Sequence, residues 1–430
     1  MILAKITINA VVFYASDEGF NDTYAWYQSI MSFSPPQYQM DKKYGGYCKM
    51  NFGSITLSPD LFSDDWPPPV ECAIVIQYLA DDETDETEAE TIFDGIAYLA
   101  APGITADSVI YDLYTSTYDV NLLSETTDYN GDTVVLPRAF GAVTHVTPVR
   151  LADVGGKPTY HKGYISSEVI GTNWDVFDDG VNINANVTDH LDGTFELSAE
   201  AVGEVTMSGT SGYGDPVVII AWACAGPRLN LPFVYDEARS PSPDVNFWAN
   251  SQMPLIDFLS DLCAFFTHLF YVKLGTFHLV DLGEDNGSRT LTEYEFIYAE
   301  YKYNPPVAII RAIWQTRAAV DETIGKYIKT TDHETFQESI YPYGEDMTVT
   351  PYHDTKANIE TALAAILVIL HKPYCEITLP MQGDLPDPGE KISWTDTQTV
   401  EDISAVIRCR TSTYDPDMNE ARIIGEGSIS

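Results

Sequence analysis

The run TVVLPRAFGAVTHVTPVRL at residues 133–151 constrains the chain most. It is dense in β-branched side chains, which suit a pleated surface, and it is interrupted by Pro137, Gly141 and Pro148, so no helix can run through it. Short strands separated by turns are what it predicts. The same reading extends over most of the chain. Ile2, Ala4, Ile6 and Ile8 alternate with Leu3, Lys5, Thr7 and Asn9, which is the period of a half-buried strand, blurred only by Leu3. Further strands are expected at 53–58, 72–79, 92–99 and 109–115. The acidic run at 81–90 repels itself and reads as an exposed hairpin tip rather than a metal-binding loop, and Trp66-Pro67-Pro68-Pro69 reads as a stiff connection.

Two helices stand out. Leu255, Phe258, Leu259, Leu262, Phe265, Phe266 and Leu269 recur at helical spacing, with Pro254 suited to the first turn and Asn250 or Ser251 to the cap. After it, 270–273 and 276–281 flank Leu274-Gly275 and predict a β-hairpin. The second helix is capped by Asp354 or Thr355, buries a stripe of Ile359, Leu363, Ile366, Leu367 and Leu370, and ends at Pro373. Strands at 309–314, 374–379, 391–394, 403–413 and 421–425 complete the chain, the last two joined by a turn at Asp415-Pro416-Asp417-Met418.

Composition narrows the function classes. A chain of 430 residues with 45% hydrophobic content can fill the cores of two to four domains. Its longest apolar run, 362–370, is far short of the ~20 residues that span a bilayer, so no membrane span is expected, and the start MILAKITINAVV lacks a basic, signal-like region. Against 64 Asp plus Glu stand 23 Lys plus Arg, a formal net charge of −41. Such a field repels polyanions and argues against specific nucleic-acid binding. Two readings of the charge stay open: a solvated surface, or acid lining a channel through which DNA slides without adhering.

No catalytic or cofactor signature emerges. The six cysteines, Cys48, Cys72, Cys224, Cys263, Cys375 and Cys409, show no metal-ligand spacing and are expected as buried thiols. Cys375 and Cys409 alone invite a bridge, since both fall in predicted strands. Asp128, Asn130 and Asp132 begin like a calcium loop, but Thr133 stands where that loop needs Gly. The histidines form no His-Glu-x-x-His pattern, and phosphate loops and nucleophile elbows are missing from the sequence. The chain is therefore expected to be no enzyme, with no catalytic, cofactor-binding or metal residues.

The 133–151 run also carries a resemblance. Pro137, Arg138, Gly141, Val143, Val146 and Pro148 match a Pro-Arg-x-x-Gly-x-Val-x-x-Val-x-Pro pattern, and Gly203, Val205, Thr206 and Gly209 match a later Gly-x-Val-Thr strand with its closing Gly. Together with the helix, the hairpin and Gly389-Glu390-Lys391-Ile392 downstream, this order resembles the tail-tip or baseplate hub proteins of bacteriophages. Val202 stands where a proline often precedes the second glycine, and Glu390 replaces the usual Asp.

The resemblance implies a mainly β (α+β) fold with a few helices: two β-barrel-like hub domains at 1–123 and 301–430, a peripheral β-rich domain at 124–228 and a helix-plus-hairpin domain at 229–300. It implies a virion structural protein, assembled in the host bacterial cytoplasm, that joins tail tube to tip and lines the DNA exit channel. Its partners would be itself, as a trimer, and other tail proteins: tail tube or distal tail ring, tape measure, fibres or spike. Two alternatives remain: a receptor- or carbohydrate-binding tail module, marked by exposed Trp and Tyr platforms, and a polysaccharide hydrolase, marked by two carboxylates about 5 to 10 Å apart across a cleft.

Overall fold

In the computed structural model the residues described are all except 9–10, 22–23, 35–36, 43, 52, 63–66, 80–82, 84, 115–119, 124–125, 130–131, 152, 164–172, 227, 236–243, 283–288, 292–296, 303–305, 319–327, 373, 381–385, 397–402, 416–419 and 430. Trp66, Asn130, Pro373, the turn residues 416–418 and part of the acidic run, Asp81, Asp82 and Thr84, lie outside them. The fold is mainly β with three helices among the described residues. Its sheets are open in their hydrogen-bonded order, none closing on itself among those residues.

The first strand, Ile2–Ile8, shows why Leu3 blurs the alternation. Ala4, Ile6 and Ile8 face the core of a nine-stranded sheet whose order runs from Phe20–Asn21 at one edge to Ile30–Ser34 at the other. Leu3 points the other way and is also buried, under Trp26 and Leu79. Both faces of this strand are covered at that point, so strict alternation fails.

That second cluster also changes the reading of the acidic run. Glu86–Glu88 form one turn of 3-10 helix capped by Asp85, and Glu86 is only 7% exposed. Its Oε2 accepts a hydrogen bond from the buried Trp26 indole N–H at 2.8 Å. The run is thus not wholly an exposed tip, because one carboxylate meets a donor that burial would otherwise leave unpaired. Glu86→Ala is expected to lower stability by about 1–3 kcal/mol, read as a shift in the urea midpoint.

The middle of the chain folds as two four-stranded sheets on one core. One contains Ala142–Val146, Val205–Thr210, Trp174–Asp178 and Val181–Asn182, the other Val149–Arg150, Thr159–His161, Thr194–Leu197 and Val187–Asp189. Trp174, Val176, Phe195, Leu197 and Met207 fill the space between them.

A helix that the periodicity does not announce follows: α1, Pro216–Cys224, started by Asp215, whose carboxylate accepts from the Val217 N–H at 2.8 Å. The expected helix is α2, Leu255–Phe265, with Pro254 at the cap position instead of the first turn and no side-chain cap. Leu269 lies beyond it, in the strand His268–Lys273, which turns through Leu274 and Gly275, both at positive φ, into Thr276–Asp281. A two-residue hairpin of this kind requires that backbone. The third helix, α3, Lys356–Leu370, buries the predicted stripe from Ile359 to Leu370. It packs with α2 and the three-stranded sheet of Val307–Ala318, Lys329–Glu338 and Glu345–Val349 in one large core.

One excursion ties the ends of the chain together. The strands Gln37–Lys42 and Gly45–Asn51 leave the N-terminal sheet and lie between the α2 hairpin and the C-terminal strands. Leu269 pairs in parallel with Gly46, and Ser412 pairs antiparallel with Tyr38. Tyr47 stacks on Phe270 at 4.9 Å, its backbone N–H donates to Ser260 Oγ at 3.0 Å, and Lys42 pairs with Asp261 on α2. The result is an 11-stranded sheet built from residues at both ends of the chain.

Cys375 and Cys409 sit in this sheet on either side of one residue, each opposite Gly425. Two strand spacings of ~4.8 Å separate them, beyond the ~7 Å limit for a bridge. Both are buried, as are the other four cysteines.

A candidate interaction groove beside the motif strand

The two halves of the sequence motif fold onto each other. Val143 pairs with Gly209 and Val146 with Met207, across a bulge that carries His145 at φ 49°. Gly209 also lies opposite Trp174, and a Cβ there would stand 2.3 Å from the Trp174 ring. Val205 and Thr206 are buried in the same strand, and the Thr206 hydroxyl meets His145 Nδ1 at 3.2 Å. The Gly203 N–H donates to Asp178 Oδ1 at 2.7 Å in the preceding turn, and Pro148 is buried after the first half.

Among the motif glycines Gly141 is the tightest point. Its φ is +70°, and a Cβ would lie 1.8 Å from the Val245 carbonyl oxygen and 2.7 Å from Asn246 Oδ1. Only glycine supplies that backbone at that distance. The close approach lets Asn246 Oδ1 accept from the Ala142 N–H at 2.9 Å, while Ser211 Oγ accepts from the Gly141 N–H at 3.1 Å.

Arg138 follows Pro137 in a strand that pairs with Phe247–Ala249. Its side chain is fully buried, with the guanidinium 4.0 Å from the Trp222 ring, 4.8 Å from Tyr213 and 5.8 Å from Phe140. Arg228 lies over Trp222 as well, at 3.9 Å. A desolvated cation on ring faces is worth ~2 kcal/mol or more, so the motif's arginine anchors α1 to the motif strand. The two motif segments thus pack against each other, and a groove lies beside them.

That groove encloses about 600 Å3 between the motif strand, the strand Phe247–Ala249, the far half of Val307–Ala318 and the loop 350–354. Its lining residues include Trp248, Trp314, Asn250, Gln315 and Thr144. Arg317 closes one end, its Nη1 donating to the His145 carbonyl at 3.3 Å, Thr147 Oγ1 at 3.0 Å and Glu204 Oε1 at 3.0 Å. At the other end Asn246 Nδ2 donates to Asp354 Oδ1 at 2.8 Å. The neighbouring His353 side chain, with that amide, holds the Asp354 carboxyl below the usual range. His353 Nδ1 lies 2.9 Å from the Thr355 backbone nitrogen and 3.3 Å from Asp354 Oδ1, and Asn358 Nδ2 lies 2.9 Å from its Nε2.

Burial, and then the nearby Arg317, hold the His145 imidazole below its ordinary value. The folded state therefore binds fewer protons than the unfolded chain once pH drops under the ordinary value of about 6.5. Stability is full above that pH and falls away as pH drops from there toward the folded value. His161 and His278 are depressed by burial in the same direction. In His145→Asn, a residue tolerant of positive φ, the drop in urea midpoint between pH 7.5 and 5.5 is expected to shrink relative to the parent chain.

No protein-family model matches the chain, and no curated protein matches it. Among solved structures, it is similar to a tail protein from Neisseria meningitidis MC58, at 7% identity over 99% of this chain and 97% of that one, with a TM-score of 0.43. A 43 kDa tail protein of prophage MuSo2 from Shewanella oneidensis is similar at 9% identity over 99% and 97% of the two chains, with a TM-score of 0.46. A chain from the virion of a native gene transfer agent particle is similar at 8% identity over 74% and 88%, with a TM-score of 0.43. These three structures are thus tail and virion proteins.

Proposed function

We propose that this chain is a virion structural protein, the central hub at the distal end of a phage tail, assembling as a trimer that lines the DNA exit channel. The observation that carries the reading is the pairing of the two motif segments: residues 137–148 and 203–209 are far apart in sequence yet form one bulged strand pair. The α2 helix and its hairpin then follow in the order that the resemblance implies. In this reading the N-terminal unit, 1–123, and the C-terminal unit, 301–430, face the bore. The units 124–228 and 229–300 stand outside it, toward tail tube or distal ring, tape measure, and fibres or spike. A net charge of −41 suits a bore that DNA must leave without adhering.

Assembly tests it. Purified protein, alone or with its neighbouring tail proteins, should give closed rings with threefold symmetry in electron-microscopy class averages, because a channel needs a rotational axis. A monomer that stays ringless at high concentration, with and without those proteins, sinks the reading.

A further inference from the structure

We propose that the groove between the motif strand and the strand Val307–Ala318 is a binding site for a neutral oligosaccharide. This does not rest on the hub assignment. Three observations point to it.

The groove is nearly free of charge in a chain that is not. Asp354 and Arg317 are the one carboxylate and the one permanent cation among its described lining residues, whereas 64 of the chain's 430 residues are acidic. Both are already engaged, Asp354 by Asn246 and His353 and Arg317 by Glu204. A cationic or anionic ligand finds no free counter-charge there, while a neutral one is not repelled.

The walls also offer what a sugar ring uses. Trp248 and Trp314 are both among the lining residues, and an aromatic side chain suits the apolar C–H face of a pyranose. His333 covers one face of Trp314 at 5.2 Å and 20° and braces that ring. Asn250, Gln315 and Thr144 add planar amides and a hydroxyl, and 600 Å3 is within the ordinary size of a small-molecule site.

The third observation disfavours the competing occupant, an extended polypeptide added to the motif strand's edge. Along that edge the Ala142 N–H is held by Asn246, the His145 N–H by Ser208 Oγ at 2.8 Å and the His145 carbonyl by Arg317. Little backbone is left there for a strand to pair with.

The test titrates the full-length protein with chitotetraose and maltotetraose as neutral probes, tetragalacturonate as a charged control and a capped Ser/Thr-rich decapeptide, following tryptophan fluorescence. A saturable response to at least one neutral sugar, with a Kd of about 1 mM or tighter, is expected, and none to the other two. Trp314→Ala should weaken it about tenfold or more. Because that ring also packs against the core, Thr350→Trp, at an exposed position in the lining, is the second variant and should block the groove with circular dichroism unchanged. Silence from both neutral sugars, a response that survives Thr350→Trp, or a response confined to the peptide or the charged sugar overturns the proposal.

Discussion

Gly141→Ala is expected to destabilise the protein by about 4 kcal/mol or more, at the far end of what single substitutions do. Two costs combine. The added methyl group would stand 1.8 Å from the Val245 carbonyl oxygen, and the backbone φ of +70° is one that alanine adopts only under strain. The clash is with backbone, so a rotamer change cannot relieve it. The segment 245–249 must move, and with it Asn246, which ties the Ala142 N–H to Asp354 across the groove. Urea unfolding followed by tryptophan fluorescence measures the loss. A midpoint within error of the parent would mean that the close approach is not what holds the motif strand in place.

The second large effect is expected at Arg138. Arg138→Ala should cost about 3–5 kcal/mol, since it removes a fully buried side chain from a tightly packed aromatic surround. Arg138→Lys is the informative companion. Lysine keeps the charge but not the plane that lies on Trp222, so it should recover only part of the loss. Full recovery would show that charge alone matters there. The readout again is the urea midpoint, with near-ultraviolet circular dichroism reporting the surroundings of Trp222.

Local structure was legible in the sequence wherever one element decides its own shape. The stripe on α3 and the Leu274-Gly275 turn needed only helical spacing and a two-residue loop between apolar runs, and both stand where expected. Helix α1 was not legible, because VVIIAWAC is apolar on every side, and periodicity cannot separate a buried helix from a buried strand. The end of α2 was overrun for a related reason: Leu269 continues the helical spacing but belongs to a strand paired with the distant residue Gly46. The motif positions were found as a pattern, yet the use made of Arg138 depends on Tyr213 and Trp222, which no spacing rule connects to it. The groove was invisible for the same reason, since its walls come from four segments between residues 142 and 354.

The excursion at residues 37–51 has a consequence for how the molecule is made. Its outer partner, the strand Ile403–Asp415, lies far downstream in the sequence and is synthesised long after it. At ~5–20 residues per second, roughly 20 to 70 s pass between emergence of the first strand and arrival of the second. During that interval Tyr38 and Gln39 have no C-terminal strand beside them, and an open strand edge is an invitation to pair with another chain. The protein's yield when expressed should therefore depend on what shields that edge while translation is unfinished, and a C-terminal truncation that removes the partner strand should leave the edge permanently open.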